Sequence, residues 1–386
     1  MPPPPAARRY LDNPATTWPK PPEVLEAWQR AARDVGATAG RAAYRDALEA
    51  DAIRDRARRS VAALLGGVDP ERVAFPAGCT LALNAAIHGL VRPGDHVIAT
   101  AADHNATLRP LHWLASRGVL DLAVVPCDGV GRVDPADVAA AWKPTTRLVV
   151  LSHASNVTGV LQDVPAVAAV SRGRGGILIV DAAQTLGQIP LDPLELGADV
   201  VAAPCHKWLL GTAGIGILWA REGLDLEPLV QGGTGSASDA LEMPPRFVER
   251  MESGTPDVPA LAAVGAATAW LERRGVADTG AGCRALAADC AARLRGVTGV
   301  RVVAAPTGAP IVGFTVQGYD PASVAVILEN VGGVQVRSGF HCAACVHSHL
   351  GTSAGGTVRV GFGPFNTADD VGAVVTAVES IVALER

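Results

Sequence analysis

A lysine and an aspartate stand at the ends of two apolar segments near the middle of the chain. Lys207 follows the apolar run 198–205 and precedes a glycine-rich turn, and Asp181 ends the apolar stretch that begins at Ile177. Burial lowers the pKa of a lysine and makes its amine a usable nucleophile, so this pair predicts Schiff-base chemistry beside a carboxylate. Each residue alone also fits a plainer role, a lysine that extends from a strand end or an aspartate that caps a turn.

A second group of reactive side chains is the segment His341-Cys342-Ala-Ala-Cys345-Val-His347-Ser-His349. A Cys-x-x-Cys motif with nearby histidines can form half of a zinc site. The rest of the chain has no matching cysteine pair, so we predict no metal, and at this point a structural thiol and a nucleophile at Cys342 both remain open. The segment 339–356 has several glycines and no periodicity, which predicts a mobile functional loop.

Two further motifs are compatible with binding of a phosphorylated, planar molecule. Phe75-Pro-Ala-Gly78-Cys79-Thr80 opens a helix, and the N–H groups there, with the Thr80 hydroxyl, suit a phosphate. A simply capped helix start looks the same. His104 follows another strand-like run, either as a packed loop histidine or as an imidazole stacked on a planar cofactor.

The elements that must position these residues alternate between short apolar runs and helical patterns. Strand-like runs occur at 96–100, 121–126, 147–153, 177–183, 198–205 and 214–220, with helical patterns at 22–34, 44–65, 80–90, 104–117, 135–142 and 163–172. Such alternation predicts an α/β fold with a mostly parallel sheet covered by helices on both faces.

The pattern changes after Pro259. Two long helical stretches at 259–274 and 280–296 are followed there by strands near 300–305, 311–317, 334–337 and 357–362, and further helices fit at 321–330 and 367–384. This order predicts a second, smaller α+β domain. We therefore expect an N-terminal segment at 1–20 that packs on the small domain, a large domain at 21–258 and a small domain at 259–386 that carries the cysteine loop.

Composition narrows the class of protein. Apolar residues make up 49% and charged residues 18% of the 386 residues, which is typical of a well-packed soluble globule. A net charge of −5 without a basic run argues against nucleic acid as a partner, and no apolar run is long enough to span a membrane. The proline-rich start has no apolar core of a signal peptide, and seven scattered cysteines suggest reduced thiols and a cytoplasmic location.

In their order along the chain, these motifs resemble those of the class V aminotransferase superfamily, and specifically the cysteine desulfurase family in a group II-like subgroup. The matching segments are Tyr10-Leu-Asp-Asn-Pro-Ala-Thr-Thr, Asp103-His-Asn-Ala-Thr, His153-Ala-Ser-Asn156, Val180-Asp-Ala-Ala-Gln184, His206-Lys207, Glu252-Ser-Gly-Thr255-Pro, Arg337-Ser-Gly-Phe-His341-Cys342-Ala and Thr357-Val-Arg359-Val.

The resemblance implies the fold type I of enzymes that use pyridoxal 5′-phosphate (PLP). The roles that it implies are cofactor binding for Lys207, Asp181, Gln184, His104, His206, Thr80, Cys79, Asn156 and Thr255, substrate binding for Arg359 and Asn156, and catalysis for Lys207, Cys342 and His104. Lys207 would hold PLP as a Schiff base, and Asp181 would pair with its pyridine nitrogen. The chain departs from the family pattern at Cys79 and Pro204, so we expect its phosphate contacts to be weaker or differently shared. It also departs at Cys205, where the family has a small residue.

The implied activity is conversion of L-cysteine to L-alanine, with the sulfur received by Cys342 as a persulfide. The resemblance also implies a homodimer, in which Thr255 reaches the site of a second subunit. A sulfur-acceptor protein is a further partner that the resemblance allows. Three alternatives belong to the same superfamily: a selenocysteine lyase, another C–S β-lyase and an aminotransferase. A non-catalytic scaffold with the same fold is a fourth, which the presence of Lys207, Asp181, His104 and Arg359 argues against.

Overall fold

The computed structural model describes residues 8–40, 42–236 and 238–383. The proline-rich start of the segment 1–20, at residues 1–7, and the last residue of the helix expected at 367–384 lie outside this range. No helix within the described residues is long and apolar enough to cross a membrane.

Thirteen strands and thirteen α-helices are found in the described residues. The strands are β1 (Arg9–Tyr10), β2 (Val73–Ala74), β3 (Asp95–Thr100), β4 (Leu120–Val125), β5 (Thr146–Ser152), β6 (Ile177–Asp181), β7 (Val200–Pro204), β8 (Gly216–Ala220), β9 (Val300–Val302), β10 (Ile311–Val316), β11 (Val334–Gln335), β12 (Arg337–Gly339) and β13 (Thr357–Gly361). The helices are α1 (Pro22–Asp34), α2 (Arg45–Leu64), α3 (Cys79–Leu90), α4 (Asn105–Ser116), α5 (Pro135–Ala140), α6 (Val164–Arg172), α7 (Pro193–Leu196), α8 (Phe247–Met251), α9 (Val258–Arg274), α10 (Val276–Arg295), α11 (Pro321–Gly332), α12 (Val346–Leu350) and α13 (Ala368–Ala383).

Seven strands form the central sheet, in the order β2-β8-β7-β6-β5-β3-β4. Its core strands β3 to β7 run parallel to one another, and β8 is antiparallel to both β7 and β2. Because parallel strands share one direction, the carboxyl ends of β5, β6 and β7 meet at the same edge. Ligands bind at that edge in α/β folds.

Both faces of the central sheet are buried. Along β5, Leu148 and Val150 pack on one face with α3 and α4, whereas Val149 and Leu151 pack on the other with α2, α6 and α9. This coverage explains why the strands read as continuous apolar runs rather than as alternating patterns. The α/β prediction is confirmed.

A second, four-stranded antiparallel sheet has the order β12-β13-β10-β9. It packs with α10, α11 and α13 around a separate apolar cluster that includes Phe314 and Phe362. Helix α9 belongs to the cluster of the central sheet and α10 to that of the second sheet, and Gly275, with φ of 76°, separates them. The boundary that we place at residue 258 stays a prediction.

The ends of several elements differ from those expected. Helix α10 begins at Val276 rather than at 280, because one glycine suffices to end α9. The strand expected at 300–305 ends at Val302. The segment 339–356, for which no regular structure was expected, contains α12 with Val346 and Leu350 buried in the core. A helix of five residues is too short to leave a readable period in the sequence.

Candidate active site

A cavity of about 210 Å³ lies at the carboxyl edge of the central sheet, between the ends of β5, β6 and β7 and the start of α3. Eight of the predicted site residues line it: Cys79, Thr80, His104, Asn156, Asp181, Gln184, His206 and Lys207. Their side chains come from segments more than a hundred residues apart, and the parallel sheet brings them together.

Lys207 and Asp181 bring opposite charges to this cavity. Asp181 is 4% exposed, and burial raises the pKa of its carboxyl group. Burial likewise lowers the pKa of the Lys207 amine, with the charge of Asp181 acting against that shift. Within the described residues, neither side chain has an ion-pair partner, so both face the cavity without neutralising each other directly. An amine of lowered pKa is a better nucleophile and base near neutral pH.

The Asp181 carboxylate is held by two donors. The Ala183 N–H donates to Asp181 Oδ1 at 2.9 Å, and the Cys79 thiol lies 3.8 Å from the same oxygen. Burial and the nearby Asp181 charge raise the pKa of Cys79 well above its ordinary value, so this thiol stays protonated and donates. Asp181 Oδ2 has no protein hydrogen-bond partner among the described residues, which leaves it to interact with a bound group.

The start of α3 forms one wall of the cavity. Its N-cap is Gly78, whose lack of a side chain leaves the first N–H groups of the helix without a side-chain acceptor. Gly216, at the start of β8, lies so close that a Cβ on it would come within 2.5 Å of the Gly78 carbonyl carbon. Free N–H groups at a helix start form a ready binding site for an anion such as phosphate.

His104 is the N-cap of α4, where its ring accepts a hydrogen bond. The Ala106 N–H donates to His104 Nδ1 at 2.9 Å, so in the neutral ring the proton is on Nε2. Burial, with Lys207 as the next cause, lowers the pKa of His104 to about 4. The ring is therefore uncharged near neutral pH and presents a donor at Nε2.

Gln184 and Asn156 both reach the cavity, but hydrogen bonds fix their side chains. Trp208 Nε1 donates to Gln184 Oε1 at 2.8 Å, and Gln184 Nε2 donates to the Pro14 carbonyl at 3.1 Å. Asn156 Nδ2 donates to the His341 carbonyl at 2.6 Å. These two residues thus also connect the cavity to the N-terminal segment and to the cysteine segment.

Arg359 lies on β13, outside the group of residues that line the cavity. It is 1% exposed, and its Nη2 donates to Asp12 Oδ1 at 2.8 Å while its Nη1 donates to the Asn156 carbonyl at 2.9 Å. Its Nε is buried and has no hydrogen-bond partner in the described part of the chain. A buried donor without a partner is costly, so this atom marks a position where a ligand acceptor would be favourable.

Cys342 lies on the rim of the site. Its thiol is exposed and lines a groove of about 520 Å³, which shares Thr80 and His104 with the 210 Å³ cavity. Arg337 Nη2 donates to Cys342 Sγ at 3.3 Å. Both His341 and Cys342 have positive φ, 50° and 60°, a backbone region that non-glycine residues rarely adopt and that clusters at functional sites.

Thr255 lies apart from both the cavity and the groove. It is exposed and lines another cavity, of about 250 Å³, next to Glu252 and Arg250. Within one chain it therefore does not contribute to the cavity that contains Lys207. The described residues also contain no cluster of three or more His, Cys, Asp or Glu side chains placed to hold a metal ion.

Comparison with known proteins decides the family. A sequence model described as aminotransferase class-V matches residues 9–374. The chain belongs to this family. Two probable cysteine desulfurases are similar to this chain over nearly its whole length. The protein of Methanothermobacter thermautotrophicus is 32% identical over 97% of this chain and 95% of its own length, and that of Pseudomonas aeruginosa is 34% identical over 98% and 94%.

Solved structures of class-V relatives have the same fold. The apo structure of a cysteine desulfurase from Thermococcus onnurineus NA1 superposes with a TM-score of 0.89 at 30% identity, and covers 97% of this chain and 94% of its own. The cysteine desulfurase CsdA of Escherichia coli, in an S-sulfonic acid form, gives 0.87 at 28% identity over 97% and 94%. The predicted resemblance to cysteine desulfurases and the predicted fold type I are confirmed.

In this class-V chain, an N-terminal segment holds the main chain at Lys207 through hydrogen bonds. The sequence did not predict that this segment belongs to the site. The His206 carbonyl accepts hydrogen bonds from Lys20 Nζ at 2.6 Å, Thr16 Oγ1 at 3.1 Å and the Thr17 N–H at 3.1 Å. Thr17 Oγ1 also donates to the Lys207 carbonyl at 2.8 Å. The segment thereby connects the main chain at Lys207 to Asp12, which pairs with Arg359.

Lys20 gives a test of this arrangement through pH. Burial lowers its pKa from 10.5 to about 7. Between about pH 7 and pH 10 the unfolded chain keeps a proton that the folded protein has lost, so the contribution of Lys20 to stability becomes more favourable as the pH rises. We expect the Tm of the wild-type protein, relative to that of Lys20→Met, to be higher at pH 9 than at pH 7.

Calorimetry of both proteins at the two pH values measures this difference. Lys143 is a suitable control, since it is an exposed lysine that pairs with Asp121 far from the site. The Tm difference between the wild type and Lys143→Met should change little with pH. A Tm difference for Lys20→Met that is the same at both pH values would contradict the burial of a neutral amine at this position.

Proposed function

We propose that this chain is a PLP-dependent cysteine desulfurase, which converts L-cysteine to L-alanine and receives the sulfur on Cys342 as a persulfide. The observation that carries the proposal is the continuity of two sites. A cavity with a buried carboxylate and a lysine of lowered pKa shares His104 and Thr80 with a groove in which an exposed thiol stands.

The residues present fit PLP. Lys207 would supply the amine, Asp181 would accept from a protonated pyridine nitrogen, and the start of α3 with Thr80 and His206 would donate to a phosphate. His104 contributes an uncharged ring that suits the face of a planar group. When bound, PLP supplies an electron sink that stabilises negative charge at the Cα atom of an amino acid.

The chain's own residues would carry the proton and the sulfur. Lys207, with its lowered pKa, takes the proton from Cα. Arg359 binds the substrate carboxylate, and its unpaired Nε supports this role. The Cys342 thiolate attacks the substrate sulfur, an S–S bond forms as the Cβ–S bond breaks, and the electron pair passes to Cβ, which is then protonated to give alanine.

Product analysis tests this function. The purified protein, loaded with PLP, is given L-cysteine with and without a thiol reductant, and alanine, sulfide and enzyme-bound persulfide are measured. We expect one alanine per site without reductant and continued turnover with it. Pyruvate and ammonia would indicate a C–S β-lyase instead, and a keto acid with aminated cofactor an aminotransferase. Activity confined to selenocysteine would indicate a selenocysteine lyase.

We also propose a homodimer, in which Thr255 lies at the site of the partner subunit. Its exposed position beside the 250 Å³ cavity, away from Lys207 of its own chain, is consistent with that role. Twofold dimers are the commonest assembly of soluble enzymes. Light scattering measures the state in solution, and a fully active monomer would contradict the proposal. All seven cysteines are free, which supports the proposed cytoplasmic location.

A further inference from the structure

The groove beside Cys342 extends well beyond the residues used in the proposed reaction. It has a volume of about 520 Å³ and passes between α3 and α4. Asn84 and His88 line it from α3, and Arg109 and Trp113 line it from α4. Residues four apart lie on the same face of a helix, so each helix presents two neighbouring side chains to the groove. A volume of this size is typical of sites for small molecules.

The charge of the groove favours an anion. Although the chain has 38 acidic residues, none lines the groove. Arg109 is exposed, and within the described residues it has no hydrogen-bond or ion-pair partner. A second guanidinium, that of Arg337, contacts the Cys342 sulfur. Positive charge without an opposing carboxylate raises the local concentration of anions.

The far wall of the groove is apolar. Trp113 is 48% exposed, and its ring centroid lies 6.0 Å from that of His88. A large exposed aromatic next to an unpaired arginine suits a ligand with both an apolar stem and a negative group. Because Cys342 lies at the other end, the third feature of this ligand is a group that reacts with a persulfide.

We propose that the groove binds a small thiol that carries a carboxylate, and that this thiol accepts the sulfur from Cys342. The inference rests on the proposed function. The thiolate of the ligand attacks the outer sulfur of the Cys342 persulfide, a new S–S bond forms, and Cys342 leaves as a thiolate. The ligand departs as a persulfide, and no further oxidant or reductant is consumed.

Two thiols that differ in charge test the role of Arg109. Each of 3-mercaptopropionate and 3-mercapto-1-propanol is used as the acceptor in steady-state turnover of L-cysteine. We expect Arg109→Gln to raise the KM for 3-mercaptopropionate about fivefold, the loss expected for one exposed charge interaction, and to leave the KM for the neutral thiol unchanged. The matched control is Arg59→Gln, an exposed arginine on α2 that does not line the groove, which should change neither KM.

A binding measurement separates this inference from the proposed function. The unreactive analogue 3-(methylthio)propionate should slow the alkylation of Cys342 by iodoacetamide in the wild-type protein, and should do so much less in Arg109→Gln. Peptide mass spectrometry distinguishes Cys342 from Cys345. This readout requires no turnover, whereas failure to form alanine from L-cysteine would contradict the proposed function alone.

Several results would overturn the inference. An equal rise in KM for both thiols would assign Arg109 a structural role. An unchanged KM for both thiols would show that Arg109 does not take part in thiol binding. Absence of protection by the analogue in the wild-type protein would show that the groove does not bind such a ligand. Transfer of sulfur only to a protein, with neither thiol reaching saturation, would assign the groove to a macromolecular acceptor instead.

Discussion

Lys207→Ala should lower the turnover of L-cysteine by at least about a thousandfold, because in the proposed reaction one side chain supplies both the amine that holds the cofactor and the base that removes the Cα proton. The substitution also leaves the buried Asp181 carboxylate without the opposite charge that lowers its pKa. Formation of alanine, followed by mass spectrometry at saturating L-cysteine, measures the loss.

Lys207→Arg is the matched control for charge. It keeps a cation beside Asp181 but has no usable amine, because an arginine is not deprotonated in proteins. Turnover should therefore be as low as in Lys207→Ala. If the arginine variant kept most of the activity, the positive charge alone would account for the role of this position.

Reduction with borohydride gives a second readout that requires no turnover. In the wild-type protein it should fix PLP covalently to the peptide that contains Lys207, and in either variant it should not. Covalent attachment of PLP at Lys20 or Lys143, the other two lysines of the chain, would show that Lys207 is not the residue that holds the cofactor. Wild-type turnover in Lys207→Ala would contradict the assignment outright.

The cavity could be predicted because its residues follow apolar strands. Lys207, Asp181 and His104 each come just after such a run, and parallel strands end at one edge of the sheet. The position of Cys79 and Thr80 at the start of α3 could be expected for a similar reason, since a glycine-led helix start is readable from sequence. These positions could be predicted because each can be recognised from a short segment of sequence with a clear pattern.

The contacts of Arg359 and Lys207 with the N-terminal segment could not be predicted in this way. Asp12 and Arg359 are separated by 347 residues, and nothing near Asp12 distinguishes it from a turn aspartate. Lys20 lies between prolines, a setting that indicates only a loop. Arg337 was part of a matching motif, but its contact with the Cys342 sulfur depends on the left-handed backbone at Cys342, which sequence does not show.

Cys342→Ser should abolish persulfide on the enzyme and lower sulfide release by about a hundredfold or more, since a serine hydroxyl cannot accept sulfur. Binding of PLP and of L-cysteine should remain, because neither the cavity nor Arg359 depends on this thiol. Absorbance of the cofactor with and without L-cysteine measures binding, and mass spectrometry of the intact protein measures the persulfide.

Cys345→Ser is the matched control. Cys345 is exposed in the same segment, yet it does not line the groove, and the hydrogen bond from Arg337 goes to the sulfur of Cys342. We expect this variant to keep persulfide formation and most of the sulfide release. A large loss in Cys345→Ser would show that the second thiol receives the sulfur or resolves the persulfide as a disulfide. Full activity of Cys342→Ser would make Cys342 structural and would assign the chain to another class-V lyase or aminotransferase, because no sulfur could then be passing through the thiol at the rim of the cavity.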